Sequence, residues 1–345
     1  MRTTLSDLLA SRDVVLADGA TGTNYFGMGL GSGEPPELWN IDHPARVASL
    51  HQQFVDAGAD IILTNSFGGT RQRLKLHGAQ ARVFELARRA AEIAREVADA
   101  AERPVLVAGS VGPTGELFEP LGALTMDEAV ASFREQIEGL VAGGADVVWI
   151  ETMSAVEEVR AAATAAIEVG VPYTATCSFD TAGRTMMGLL PGSLDAVFEG
   201  LAVPPVAMGA NCGVGAADIL VSVLSMAESA DSAEQRALIS KGNCGVPQFQ
   251  GTEIVYSGTP DLMGTYAAMA ADAGARIVGG CCGTSPEHVA HMRRALDARR
   301  PGSTPTLTDI VERIGPLTNT APNASIRRDE PRGRRGRRAG AEATG

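Results

Sequence analysis

Three stretches of this chain share one grammar. DAGADIILT (56–64), AGGADVVWIE (142–151) and ADAGARIVGG (271–280) each end a helix on glycine, add a small residue and a charged one, then enter an apolar run. Glycine just past the last helical turn is the common helix stop. The runs that follow are rich in Ile and Val without polar alternation, as in strands of a parallel sheet covered on both faces. Five further short runs fit the scheme: VVLAD (14–18), VLVAG (105–109), YTATCS (173–178), VAMGAN (206–211) and ALIS (237–240). Eight strands alternating with helices predict an α/β chain folded as a (β/α)8 TIM barrel. The competing arrangement is a doubly wound sheet. The turn after the first strand, DGATGTN (18–24), lacks the G-x-G-x-x-G of a dinucleotide fold, and GLGSG (29–33) follows no strand.

The intervening segments read as amphipathic helices. Thr125 and Glu128 form a capping box ahead of Val130, Phe133, Ile137 and Leu140, and Ser154 with Glu157 is set the same way ahead of Val159 and Ile167. Ser285-Pro286 and His43-Pro44 open two more helices. The apolar pattern fades near Gly315. The division expected is a barrel over residues 1–314 and a disordered, Arg/Gly-rich basic tail over 315–345. The tail suits either an acidic partner or simple solvation.

A net charge of −12 argues against general nucleic-acid binding. The first residues, MRTTLSDLLASRD, carry no basic-then-apolar signal pattern, and no apolar run approaches the ~18 residues of a membrane span. A cytoplasmic protein without membrane association is expected. The oligomeric state is left open, a homo-oligomer included.

Residues 279–284 read GGCCGT. Along a strand, adjacent side chains face opposite ways, so Cys281 and Cys282 converge only if the strand has ended and the chain turns. Flanking glycines permit that turn. A metal site, a vicinal disulfide and two buried thiols are the three readings of the pair. A reducing compartment favours metal over disulfide. In α/β barrels the chemistry collects at the carboxyl ends of the strands. There the chain places Asp18, Thr64 with Asn65 and Ser66, Ser110, Glu151, Ser178, Asn211 with Cys212, Lys241, and the cysteine pair. Cys212 ends the sixth strand and Cys281-Cys282 the eighth, so three thiols open onto one face. Three soft ligands and one free position suit a catalytic Zn2+. Cys177 reads as core, and Cys244 is a candidate fourth ligand.

The segments LADGATGT, LTNSFGGTRQRL, AGSVGPTGE, WIETMSAVEEVRAA, GANCGVG and VGGCCGTSPEHV, in this order over roughly residues 10–298, resemble the zinc-dependent homocysteine S-methyltransferases. That group includes betaine–homocysteine methyltransferases, S-methylmethionine-dependent enzymes and the homocysteine module of cobalamin-dependent methionine synthase. The resemblance implies one Zn2+ held by Cys212, Cys281 and Cys282. It implies Asp18 and Glu151 near the homocysteine amino group, and the backbone amides of Gly19, Ala20 and Thr21 near its carboxylate. Thr64, Ser66 and Asn211 lie in matching segments. A purely structural job, capping or turn support, is open to each of these polar residues.

The implied activity is methionine formation. A thiol is a poor nucleophile and a thiolate a good one, and coordination to zinc favours the thiolate. Betaine or another small onium compound is one expected donor, although aromatics make up only 4% of the chain and form no evident cage. A separate methyl-corrinoid protein is the alternative. NSFGG (65–69) and GNCGVPQF (242–249) are closer to the methionine-synthase type, yet the chain has no D-x-H-x-x-G sequence of its own. A zinc hydrolase fits poorly with five histidines in no ligand-like pair. A non-catalytic zinc-binding barrel is the reading from another class.

Overall fold

The structure is a computed structural model and describes residues 2–229, 236–245, 247–250 and 253–318, without the side chains of 247–250 and 253–255. Ten strands are present among them: β1 (Val15–Leu16), β2 (Ile61–Leu63), β3 (Leu106–Val111), β4 (Val147–Met153), β5 (Tyr173–Cys177), β6 (Ala207–Cys212), β7 (Ala237–Gly242), β8 (Pro247–Gln250), β9 (Glu253–Tyr256) and β10 (Ala275–Gly280). β8 and β9 form an antiparallel hairpin. The other eight make one sheet in the order β1-β10-β7-β6-β5-β4-β3-β2, parallel throughout. Its two edges meet. Ala17 bridges Ile61, the Asp18 amide donates to the Ile61 carbonyl at 3.0 Å, and the Asp60 amide donates to the Leu16 carbonyl at 2.6 Å. The sheet is therefore a closed barrel, and the doubly wound arrangement is set aside.

The predicted helix stops hold. Gly58, Gly144 and Gly274 have φ of +97°, +99° and +102°, a backbone region that disfavours any other residue. The helix Met126–Ala142 opens with the Thr125–Glu128 capping box. Pro44–Asp56 turns Val47, Leu50 and Phe54 inward. Pro286–Ala298 follows Ser285, whose amide donates to His288 Nδ1 at 3.1 Å. The second expected box is absent: Val156–Val169 starts one residue later, after Ala155, with no side-chain cap. The pattern matched, but Ser154 sits one position too early to reach an orphan amide.

Two apolar layers explain what the strands do. Val15, Ala17, Ile61, Leu63, Leu106, Ala108, Val147, Trp149, Ala207, Ile239 and Ile277 pack together inside the barrel, plugged from below by Leu5 and Leu8 of the helix Leu5–Ser11. Their neighbours Leu16, Ile62, Val107, Val148 and Val278 face outward, against Phe54, Phe133, Ile137 and Met263 of the helices. The strands are thus buried on both sides, as the unalternating apolar runs implied.

Packing continues beyond the expected 314/315 boundary. Helix Leu307–Arg313 buries Ile310, Leu317 rests on the core, and the Thr318 amide donates to Asp218 Oδ2 at 2.9 Å. The remainder of the expected basic tail, 319–345, lies outside the described residues. Among the described residues no helix is long and apolar enough to cross a membrane.

Candidate active and metal site

Counting by two up each strand from the apolar plug leads to the mouth, because alternate residues share a face. Ala108 leads to Ser110, Trp149 to Glu151, Ile239 to Lys241, Ala207 through Gly209 to Asn211, and Ile277 through Gly279 to Cys281. All of these residues except Cys281 are buried. A cavity of about 500 Å³ opens above them. Its wall includes Gly19, Ala20, Thr21, Thr64, Ser66, Ser110, Glu151, Lys241 and the three cysteines.

The sulfurs of Cys212, Cys281 and Cys282 lie within 4.8 Å of one another, with Cys212 and Cys282 at 3.9 Å. The backbone makes this convergence in two ways. β10 ends at Gly280, and the Thr284 amide closes a turn onto the Cys281 carbonyl at 3.1 Å, with Gly283 at φ +78°. A Cβ on Gly283 would lie 2.3 Å from the Tyr256 ring, so only glycine lets both thiols turn inward beneath that ring. Cys212 itself has φ +62°, an uncommon conformation for a side-chain-bearing residue and one that concentrates at functional sites.

Amide side chains brace the cluster. Asn243 donates to the Gly213 carbonyl at 2.9 Å and to Cys212 Sγ at 3.7 Å, and accepts from the Cys282 amide at 3.0 Å. Asn211 donates to Thr152 Oγ1 at 2.7 Å and to Cys281 Sγ at 3.8 Å, and accepts from the Thr152 amide and Thr176 Oγ1. Both Asn211 oxygen and nitrogen are engaged and it is fully buried, so it holds the loop. Contact with the neighbouring sulfurs, followed by burial, pushes the Cys212 thiol far up, while the same sulfur contacts draw Cys282 down. A divalent cation at this point would let all three thiols ionise.

Tetrahedral zinc with sulfurs at ~2.3 Å needs them about 3.8 Å apart, which the 3.9 Å separation matches. The three residues therefore fit the metal. Cys177 is core, as expected. Cys244 is no fourth ligand. Its buried sulfur packs where a Cβ on Gly258 would stand, 2.7 Å away, and only its amide meets the site, donating to the Cys282 carbonyl at 2.9 Å.

The carboxylates are unequal. Glu151 lines the cavity, with Oε1 accepting from Ser110 Oγ at 2.5 Å; burial pushes its carboxyl up to about 7, against the pull of Lys241. Asp18 lies below the cavity wall. Its Oδ2 accepts from the Leu63 amide at 2.7 Å and its Oδ1 from Lys241 Nζ at 3.2 Å. Burial raises Asp18, with Lys241 opposing. Burial also acts to lower Lys241, but Asp18 and Glu151 outweigh it and keep the ammonium charged. Thr64 and Ser66 share a 2.6 Å hydrogen bond and tie to Ser110, through its amide and carbonyl respectively, so they support this wall as well as line it. The Ala20 amide donates to the Thr284 carbonyl at 3.0 Å and is not free for a ligand. Lys241 and Asn243 stood in the sequence without an assigned role. Register was the available signal for Lys241, two residues above inward-facing Ile239.

Comparison with known proteins agrees with this geometry. A model of the homocysteine S-methyltransferase family matches residues 15–296. Methionine synthase of Mycobacterium leprae is 30% identical over 320 residues, covering 88% of this chain and 26% of that protein. The Mycobacterium tuberculosis methionine synthase is 30% identical over 317 residues, 87% of this chain and 26% of its own length. The chain thus spans about a quarter of these relatives. The crystal structure of the Escherichia coli homocysteine methyltransferase MmuM in its metallated form superposes with a TM-score of 0.70 at 23% identity, covering 84% of this chain and 99% of that one, a likeness of fold. With a family match over most of the barrel, the chain belongs to the homocysteine S-methyltransferase family.

Proposed function

We propose that this chain is a zinc-dependent homocysteine S-methyltransferase that forms methionine. The observation that carries the reading is the meeting of three thiols, from β6 and the end of β10, within 4.8 Å of one another beside a cavity, one pair of them at tetrahedral spacing. Zinc held by Cys212, Cys281 and Cys282 would stabilise the substrate sulfur as thiolate at neutral pH. The protein's own residues then orient the amino acid. Glu151 faces the cavity as the acceptor for a substrate ammonium, and the Gly19 and Thr21 amides are the donors of that turn without an intramolecular partner among the described residues. The substrate sulfur supplies the electron pair of the new S–C bond, and the donor's departing nitrogen or sulfur keeps the pair of the bond that breaks. Holding the amino acid at one end and its sulfur at the other aligns this displacement, a positioning effect worth up to ~7–11 kcal/mol in model reactions.

A small onium compound such as betaine is the first donor considered. Of the aromatic side chains described, Phe26 and Phe67 line the cavity, fewer than an onium cage ordinarily uses. A second reading has its own support. Exposed Phe26, Leu76, Leu117, Leu121, Met186 and Leu190 stand on the segments that follow β1, β2, β3 and β5, around the mouth, as an apolar rim suited to a docking protein that carries the methyl group on a corrinoid. Purified protein with zinc and homocysteine, offered betaine, S-methylmethionine and a methylated corrinoid protein in turn, separates the two by methionine formed. No methionine from any donor with stoichiometric zinc would leave a non-catalytic zinc barrel.

A further inference from the structure

Glu37 is a buried carboxylate that the displacement described above leaves unused. It is 4% exposed and lines the same cavity as the three thiols. It sits in the 3-10 turn Pro36–Leu38, and its Oε1 accepts from the Gly68 amide at 2.6 Å. A Cβ on Gly68 would stand 2.9 Å from that oxygen, so the carboxylate is pressed onto bare backbone. Burial pushes its carboxyl up; hydrogen bonds from its own amide and that of Gly68, then the charges of Arg73 and His77, pull against burial. Among the described residues no cation reaches ion-pair distance of Glu37, and exposed Arg73, on the same cavity wall, has no acidic partner. A buried carboxylate without a counter-ion is costly, and a cation held in the cavity would offset that cost. Two rings share the cavity. Phe26, on the helix Gly22–Gly27, and Phe67, just past β2, stand on its open side, 55% and 36% exposed. Ring faces attract quaternary ammonium and sulfonium groups, whose charge is weakly hydrated. Two rings are few for a cage, and the carboxylate supplies the attraction that further rings would.

Resting on the methyltransferase reading, we propose that Glu37, with Phe26 and Phe67, binds the onium head of the methyl donor, and that Arg73 binds a carboxylate at the donor's other end. The donor class is then an onium compound that carries its own carboxylate. In the displacement the homocysteine sulfur forms the new S–C bond. The donor's N–C or S–C bond breaks and leaves its pair on nitrogen or sulfur, so the head becomes neutral. Glu37 therefore holds the donor more strongly than it holds the transition state, where the positive charge is already fading. Its attraction goes into donor affinity rather than rate, and the neutral product is no longer held by it.

The test uses the full chain with stoichiometric zinc and saturating homocysteine, and betaine and S-methylmethionine as varied donors. Glu37→Gln, which keeps an oxygen for the Gly68 amide, should raise the donor KM roughly 10- to 100-fold and change kcat by less than about three-fold. Arg73→Gln, at an exposed position, should raise the donor KM roughly ten-fold, and an unchanged KM there would overturn the carboxylate contact. On the unsubstituted protein, 3,3-dimethylbutanoate has betaine's shape without its positive charge. It should compete at concentrations at least about ten-fold above the betaine KM. A loss of kcat with an unchanged donor KM in Glu37→Gln would place Glu37 outside donor recognition and overturn the proposal. Inhibition by 3,3-dimethylbutanoate at the betaine KM would overturn it too, and decides the matter even if Glu37→Gln fails to fold. Methionine formed only from a methylated corrinoid protein would overturn this inference and leave the methyltransferase reading intact. Methionine from no donor at all would sink both.

Discussion

Asp18 and Asp60 stand at opposite ends of the seam where β1 meets β2, and each accepts a hydrogen bond from the other strand's backbone. Asp18 Oδ2 takes the Leu63 amide at 2.7 Å, and Asp60 Oδ2 takes the Leu16 amide at 2.9 Å. β1 and β2 have only two and three residues, so these carboxylates lengthen a ladder that is too short to close the barrel alone. Their compensation differs. Asp60, at the bottom, has three guanidiniums within 3.3–3.6 Å, from Arg12, Arg103 and Arg293, whose side chains are 18–36% exposed. Asp18, at the top, has one ammonium that is as dry as itself. Wet, redundant cations make a stabilising clamp. A lone dry cation with unused donors leaves its charge in the cavity wall, where anything entering the cavity feels it at low dielectric.

The comparison predicts that top and bottom separate function from stability. The largest effect belongs to Cys212→Ala, which should abolish zinc retention measured by elemental analysis, and reduce methionine formation beyond the roughly 10- to 100-fold that outer-shell changes produce. Retained stoichiometric zinc would contradict the ligand set. Next, Asp60→Ala should lose about 3–5 kcal/mol in denaturant unfolding, since it strands buried ends of three guanidiniums and the Leu16 amide. Its kcat per folded molecule should stay at the level of the unsubstituted protein; a loss of kcat larger than the folded fraction explains would erase the division between the two ends.

A third expectation concerns pH. Burial lifts Glu151 from an ordinary 4.5 to about 7, so its neutral form is the one the fold favours. Its contribution is therefore complete below about pH 4.5 and is lost as pH rises through 7. In zinc-free protein this amounts to about 3 kcal/mol between pH 4.5 and 8. Glu151→Gln should flatten that decline in a series of unfolding curves; an unchanged slope would place its origin elsewhere. The smallest effect is Thr125→Ala, on the outer helix Met126–Ala142, at about 1 kcal/mol with no change in homocysteine KM.

The site was legible in uneven parts. The cysteines could be found because glycine-flanked thiols at two strand ends have few structural uses, and the barrel supplied the reason for their meeting. Glu151 was legible as a charge that ends a strand. Asp18 was legible as a residue of the mouth, yet its partner was not: the chain separates it from Lys241 by more than two hundred positions, and only the closed sheet brings them to 3.2 Å. Asn211 and Asn243 show the same limit. An asparagine beside a cysteine on paper can touch substrate or hold a loop, and the choice rests on where each amide hydrogen goes. Cys244 is the converse case, a candidate ligand by spacing that the fold turns into the core against Gly258.

What the sequence determined by itself is the repeating unit. Helix, left-handed glycine and doubly buried strand are local matters, set by backbone sterics and by the run of Ile and Val, and eight of them close in one familiar way. What the tertiary structure alone decided is which charges face each other across the mouth. Inward direction depends on each strand's register, and the strength of an ionic contact depends on burial, so neither can be read until the barrel has closed and excluded water.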